Sequence, residues 1–142
     1  GGPPDEVFSR PANAEVAAIV GVETVVTGRI ADRKDDLVAL EVGKVRLWAV
    51  EASGRGGECY VCIRAEDVTL EIGTRPSSSA RNHLAGRVTE VRPAGPVSRV
   101  TVECGFALTA LVTRQAAQDL ALTPGTPVTA TVKASAVHLI PR

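Results

Sequence analysis

Two series of short β-rich runs follow one another along the chain and match in the same order, and this diverged repeat constrains the fold more than any single motif. Thr27-Gly28-Arg29-Ile30 is matched by Ala85-Gly86-Arg87-Val88, and Leu40-Glu41-Val42-Gly43 by Thr101-Val102-Glu103-Cys104-Gly105 with a small shift. Leu47-Trp48-Ala49-Val50 is matched by Leu108-Thr109-Ala110-Leu111. Ile63-Arg64-Ala65-Glu66-Asp67-Val68-Thr69-Leu70 is matched by Val132-Lys133-Ala134-Ser135-Ala136-Val137-His138-Leu139. Strands are expected at Val25–Ile30, Leu37–Val42, Val45–Val50 and Tyr60–Arg64, then at Leu84–Val91, Ser98–Glu103, Ala107–Val112 and Val128–Lys133. Closing a short antiparallel sheet removes its exposed edges and buries a small apolar face, which suits a chain rich in Val, Ala and Thr with only 3% aromatic residues. The expected fold class is therefore mainly all-β, two small OB-like β-barrels in tandem.

Composition shifts set the boundaries. Residues 1–21 read as two short helical pieces, Pro4–Ser9 and Ala14–Ile19, broken at Arg10-Pro11 because proline disfavours helix at the residue before it. The first barrel then takes 22–74, the polar stretch 75–78 serves as linker, and the second barrel takes 79–142. One helix, Arg114 to Leu122, interrupts the second series and is closed by Pro124-Gly125.

The 142 residues carry sixteen Lys plus Arg against sixteen Asp plus Glu, so no global field steers the chain to nucleic acid, and any anion site must be local. No apolar run approaches the roughly 20 residues that span a bilayer. A start at Gly1-Gly2-Pro3-Pro4-Asp5 lacks the features of a signal peptide, and the expected location is cytoplasmic. Three cysteines agree with a reducing compartment. The phosphate loop G-x-x-x-x-G-K-[ST], G-x-S-x-G and H-E-x-x-H are all absent, so no catalytic residues are expected and these residues are read as non-enzymatic.

The densest chemistry is Ser79-Ala80-Arg81-Asn82 together with Lys133-Ala134-Ser135-Ala136. If the segments meet, they offer two fixed cations, hydroxyls, an amide and backbone N–H groups with no carboxylate, which suits a fully deprotonated tetrahedral dianion. The alternative is that Ser79 and Asn82 cap a turn while Arg81 and Lys133 are solvated surface charges. At the matching places the first repeat carries Glu23 and Glu66, which would repel an anion. Cys59-Tyr60-Val61-Cys62 has redox or zinc spacing, but residues three apart in a strand face opposite ways, and packed thiols are expected, with no metal site. His83 and His138 lie beside the two anion segments and read as structural histidines. Trp48, Tyr60 and Phe106 read as packing residues rather than base-stacking platforms.

Ser79 through Val88, then Leu111-Val112-Thr113-Arg114-Gln115 and Lys133-Ala134-Ser135-Ala136-Val137, resemble the molybdenum-pterin-binding (Mop, or TOBE) domain over Ser79 to Pro141. Gly2 to Phe8, Pro11, Val16-Ala17 and Val20 to Glu23 resemble the end of an ABC-transporter ATPase domain, and Ile63 to Val68 the accessory-barrel motif of the same ATPases. The resemblance implies Mop-like barrels and the C-terminal regulatory portion of a molybdate or tungstate importer's ATP-binding subunit. Molybdate or tungstate would be its ligand, with no covalent cofactor. It implies Ser79, Arg81 and Lys133 as direct ligands, with the backbone of Ala80 and Ala134 and the side chains of Asn82 and Ser135 in weaker roles. It further implies a homodimer through the regulatory domains and membrane subunits as partners at the inner face of the cell membrane. In the family, binding holds the ATPase subunits apart and slows transport. A dimerisation or regulator-interaction module with no small ligand, as in sugar-importing relatives, is the alternative.

Overall fold

The computed structural model describes residues 21–50 and 57–142; the helical pieces expected at Pro4–Ser9 and Ala14–Ile19 lie outside them. In chain order the strands are β1 (Val22–Lys34), β2 (Leu37–Val42), β3 (Val45–Val50), β4 (Glu58–Arg64) and β5 (Thr69–Glu71). The second repeat supplies β6 (Arg81–Ala94), β7 (Val97–Glu103), β8 (Ala107–Thr113), β9 (Pro127–Lys133) and β10 (His138–Pro141). Each repeat pairs its strands antiparallel in the same way, β4 to β1 to β2 to β3 and β9 to β6 to β7 to β8. A register shift falls between Ile30 and Asp32 in β1 and at the matching place, between Val88 and Glu90, in β6.

A short 310 turn follows each inner strand, Ala65–Asp67 after β4 and Ala134–Ala136 after β9, and redirects the chain into the other repeat's sheet. The two five-stranded sheets therefore have the orders β10-β4-β1-β2-β3 and β5-β9-β6-β7-β8, each borrowing its outermost strand from the other repeat. β10 also approaches β3, and β5 approaches β8, so both sheets curl. The hydrogen-bonded order nevertheless stays open in each. The two small β-units expected from the repeat are present, while the sequence boundary between repeats and the boundary between sheets do not coincide.

Alternation decides which side chains fill the units. Val26, Leu40, Leu47, Val61 and Ile63 from the first repeat and Leu84, Val88, Val100, Val102, Leu108 and Val132 from the second join one buried cluster. Gly28 and Gly86 sit at the tightest approach of their strands. A Cβ on Gly86 would lie 2.5 Å from the Glu103 carbonyl oxygen, and one on Gly28 would lie 2.9 Å from Val61 Cγ2. The matched Gly-Arg pairs thus mark where only backbone fits.

Helix α1 (Arg114–Asp119) is shorter than the expected Arg114 to Leu122. Thr113 caps its start, accepting from the Ala116 amide, and Ala121 at φ 51° ends it in the left-handed region.

Candidate functional site

The antiparallel register of β6 and β9 puts Arg81 directly opposite Lys133 and Asn82 opposite Val132. Just beyond the strands, the Ala134 amide donates to the Ala80 carbonyl at 2.9 Å, so the two segments singled out in the sequence are zipped together. Directly opposed residues share a face, and like charges there repel. Arg81 and Lys133 are both exposed, and neither takes part in ion pairs such as Arg29–Glu41, Arg99–Glu23 and Arg142–Glu58 among the described residues. Two adjacent cations with no counter-charge among the described residues form a local positive site that an anion would relieve.

The turn leading into β6 is built by two serines of the stretch expected as a linker. Ser78 Oγ accepts from the Ala80 and Arg81 amides at 3.3 Å each, and the Ser78 amide donates to the Arg81 carbonyl at 2.9 Å. Ser77 Oγ accepts from the His83 amide at 2.7 Å and donates to the His83 carbonyl at 3.1 Å. The polar stretch expected as a linker thus lies along β6 and presents Ser79, half-buried, at the tip of the turn. Across from it, Ser135 is exposed in the 310 turn after β9, which packs on β3. The amides of Ala80 and Ala134 are engaged within the protein, whereas the Ser79 and Ser135 hydroxyls have no hydrogen bond to a described residue.

Asn82 points the other way. It is fully buried; its Oδ1 accepts from the Trp48 amide at 2.7 Å, and its Nδ2 donates to the carbonyls of Trp48 at 3.0 Å and Val132 at 3.2 Å. All three bonds tie β6 to β3 of the other sheet and to β9. The first repeat uses Thr24 at the matching position: buried, it accepts from the Thr109 amide of β8 at 3.1 Å. Only tertiary structure reveals this pairing, because Trp48 lies in the opposite repeat.

Glu23, at the position matching Arg81, forms a two-oxygen contact with Arg99 of β7 at 3.0 and 3.1 Å. Beside Arg81 on the same face of β6, His83 Nδ1 lies 2.9 Å from Thr131 Oγ1, and that hydroxyl lies 3.5 Å from Glu71 Oε1. Glu71 in turn pairs with Arg75 at 3.2 Å.

The cysteines and aromatics take packing positions. Cys59, Cys62 and Cys104 are buried free thiols; burial pushes Cys62 and Cys104 up to about 11 and raises Cys59 as well. Such thiols stay protonated near neutrality and are poor nucleophiles. Among the described residues no three His, Cys, Asp or Glu side chains gather as a metal site would need, and no helix is long and apolar enough to cross a membrane. Phe106 is in the core, while Trp48 and Tyr60 are half-buried under the guanidinium groups of Arg46 and Arg142 at 5.9 and 5.6 Å.

Residues 78–139 match the family model of the TOBE domain. The chain is 33% identical over 138 residues to the molybdate/tungstate import ATP-binding protein WtpC of Pyrococcus horikoshii, an alignment covering 96% of the chain and 37% of that relative. It is 39% identical over 88 residues to the molybdenum-pterin-binding protein MopA of Rhodobacter capsulatus, covering 59% of the chain and 33% of that relative. The chain thus spans little more than a third of the length of these relatives. The fold superposes with a TM-score of 0.71 and 26% identity on the cytoplasmic molybdate-binding protein ModG with molybdate bound, covering 88% of this chain and 99% of ModG.

Proposed function

With a TOBE domain over its second repeat and a likeness to molybdate/tungstate import ATP-binding proteins over most of its length, the chain is, we propose, the regulatory oxyanion-binding portion of such a subunit. The observation that supports this reading is the opposition of Arg81 and Lys133 at the end of one ladder, with no carboxylate among the described residues in an ion pair with either. A tetrahedral dianion seated there accepts from the guanidinium fork, the ammonium group and the Ser79 and Ser135 hydroxyls. Ala80 and Ala134 contribute by holding the two segments together, and Asn82 by fixing β3 behind them.

The regulatory step follows from linkage. A ligand shifts an equilibrium between two arrangements of the ATPase subunits only when it binds one of them more tightly. In the full subunit, oxyanion accumulating inside the cell would favour the arrangement with the ATPase domains apart and so slow import. Homodimerisation through these β-units and docking on the membrane subunits, at the inner face of the membrane, belong to the same reading.

Calorimetric titration with molybdate, tungstate, sulfate and phosphate tests the reading, alongside the solution mass with and without ligand. Saturable binding of molybdate and tungstate, lost in the Arg81→Ala, Lys133→Ala double variant while the circular dichroism is unchanged, is the expected result. A folded dimer that binds no oxyanion would sink the reading in favour of a dimerisation module.

A further inference from the structure

The exposed face of the β6–β9 ladder carries a second rung beside the Arg81–Lys133 rung. In it His83 stands opposite Thr131, and β5 adds Thr69 opposite Thr131 from the other side. The contacts form a chain from His83 Nδ1 to Thr131 Oγ1 at 2.9 Å, then to Glu71 Oε1 at 3.5 Å, with Arg75 on the far side of Glu71. A threonine hydroxyl has one proton to give, so this chain has two settings. With neutral His83, Thr131 donates to the bare Nδ1. With charged His83, Nδ1–H donates to Thr131, whose own proton turns to the Glu71 carboxylate. The second setting gives the imidazolium an uninterrupted path to a negative charge.

We propose that His83 is a further, protonatable member of the oxyanion site, so that filling the site is accompanied by uptake of a proton at His83. The inference rests on the oxyanion reading above. The charged groups around His83 are few and opposed. Arg81 lies two residues away on the same face, roughly 6–7 Å along the strand, and Lys133 sits diagonally across on β9, roughly 7–8 Å away. Both oppose a charge on the imidazole, while Glu71 of β5, shared with Arg75, favours it. A dianion between Arg81 and Lys133 cancels the opposing pair and leaves Glu71 unopposed. The first repeat has no such device: Val25 stands where His83 does, Cys62 where Thr131 does and Ile140 where Glu71 does.

Molybdate serves as the probe, at micromolar concentration, on the 142-residue chain. Its affinity is expected to rise about five- to tenfold from pH 8 to pH 6, the scale of one added charge at this separation in a partly solvated site. Calorimetry in buffers of different ionisation heat should register proton uptake on molybdate binding. In His83→Gln the amide can still bond Thr131 but cannot titrate, so molybdate should bind with a flat pH profile. His138→Gln, the other histidine, should keep the slope. Glu71→Gln, a milder change, should bind molybdate with a reduced slope. Wild-type binding that is independent of pH, or a slope surviving His83→Gln, would overturn the proton linkage and leave the oxyanion site standing. Absence of molybdate binding at every pH would overturn the site, and the linkage with it.

Discussion

At matching corners of the two repeats the same backbone carries different chemistry at two of three polar positions, Glu23 against Arg81 and Glu66 against Ser135, while Arg64 and Lys133 keep a cation in both. In the first repeat Glu23 is engaged by Arg99 and Glu66 sits in the 310 turn; in the second, Arg81 and Lys133 are exposed with no ion pair among the described residues, and Ser135 takes the turn. The cross-sheet bond behind each corner survives in both, by Thr24 to the Thr109 amide and by Asn82 to the Trp48 peptide. Divergence has therefore left the inward-facing half of each corner structural and changed the outward-facing half. An internal carboxylate closes one corner with its own ion pair, and the other is the corner we propose for an external anion.

The sharpest way to break the equivalence is at the paired glycines. Gly86→Ala drives a Cβ against the Val102 side chain and the Glu103 carbonyl, and that backbone oxygen cannot move without disturbing the β6–β7 ladder, so the change should cost about 3 kcal/mol or more. Gly28→Ala meets mainly the Val61 and Val42 side chains, with the Glu41 carbonyl farther off at 3.3 Å, and should cost about 1–2 kcal/mol in urea unfolding. Equal losses would show that the two crossings are equally tolerant.

Next come the cross-sheet bonds. Asn82→Ala leaves the buried Trp48 amide and two carbonyls without their partner and should cost about 2–3 kcal/mol; Thr24→Val removes one bond and should cost about 1 kcal/mol. Because Asn82 faces inward, any loss of molybdate affinity in its variant should track unfolding and vanish at temperatures where the variant is fully folded. A loss that persists there would show that Asn82 shapes or contacts the ligand site beyond its part in stability. Smaller still, Glu23→Gln breaks a partly exposed ion pair and should cost at most about 1 kcal/mol, an effect that fades in high salt.

The smallest effect concerns pH. Unfolded thiols ionise near their ordinary value, whereas burial holds Cys62 and Cys104 protonated to about 11. The folded state therefore keeps more protons than the unfolded one in that window, and stability should fall as pH rises from about 9 toward 11. Cys62→Ala with Cys104→Ala should flatten that limb of the unfolding curve.

Much of the fold was legible because matched runs carry their own register. Gly28-Arg29 and Gly86-Arg87 align, and the strands around them form where the alternation places them. The exchange of β5 and β10 was not legible, since Thr69–Glu71 and His138–Pro141 are too short to show a period and pair only with residues far away in the sequence. At the site, donor chemistry marked Ser79, Arg81, Lys133 and Ser135, but the same chemistry could not separate Asn82, whose partner is a peptide of the other repeat. Ser77 and Ser78 were legible only as part of a polar linker, and Thr131 and Glu71 carried no signal: their roles depend on which strand lies beside which.

The exchange of outer strands also determines what happens if the chain is cut. A proteolytic nick within residues 75–78 would sever the covalent link between repeats, yet each fragment would still hold a strand in the other's sheet. The nicked molecule should migrate as one particle and come apart only in denaturant. A gene segment encoding one repeat alone would be left with an outer strand seeking a sheet and a sheet edge seeking a strand, a need that a second identical copy satisfies.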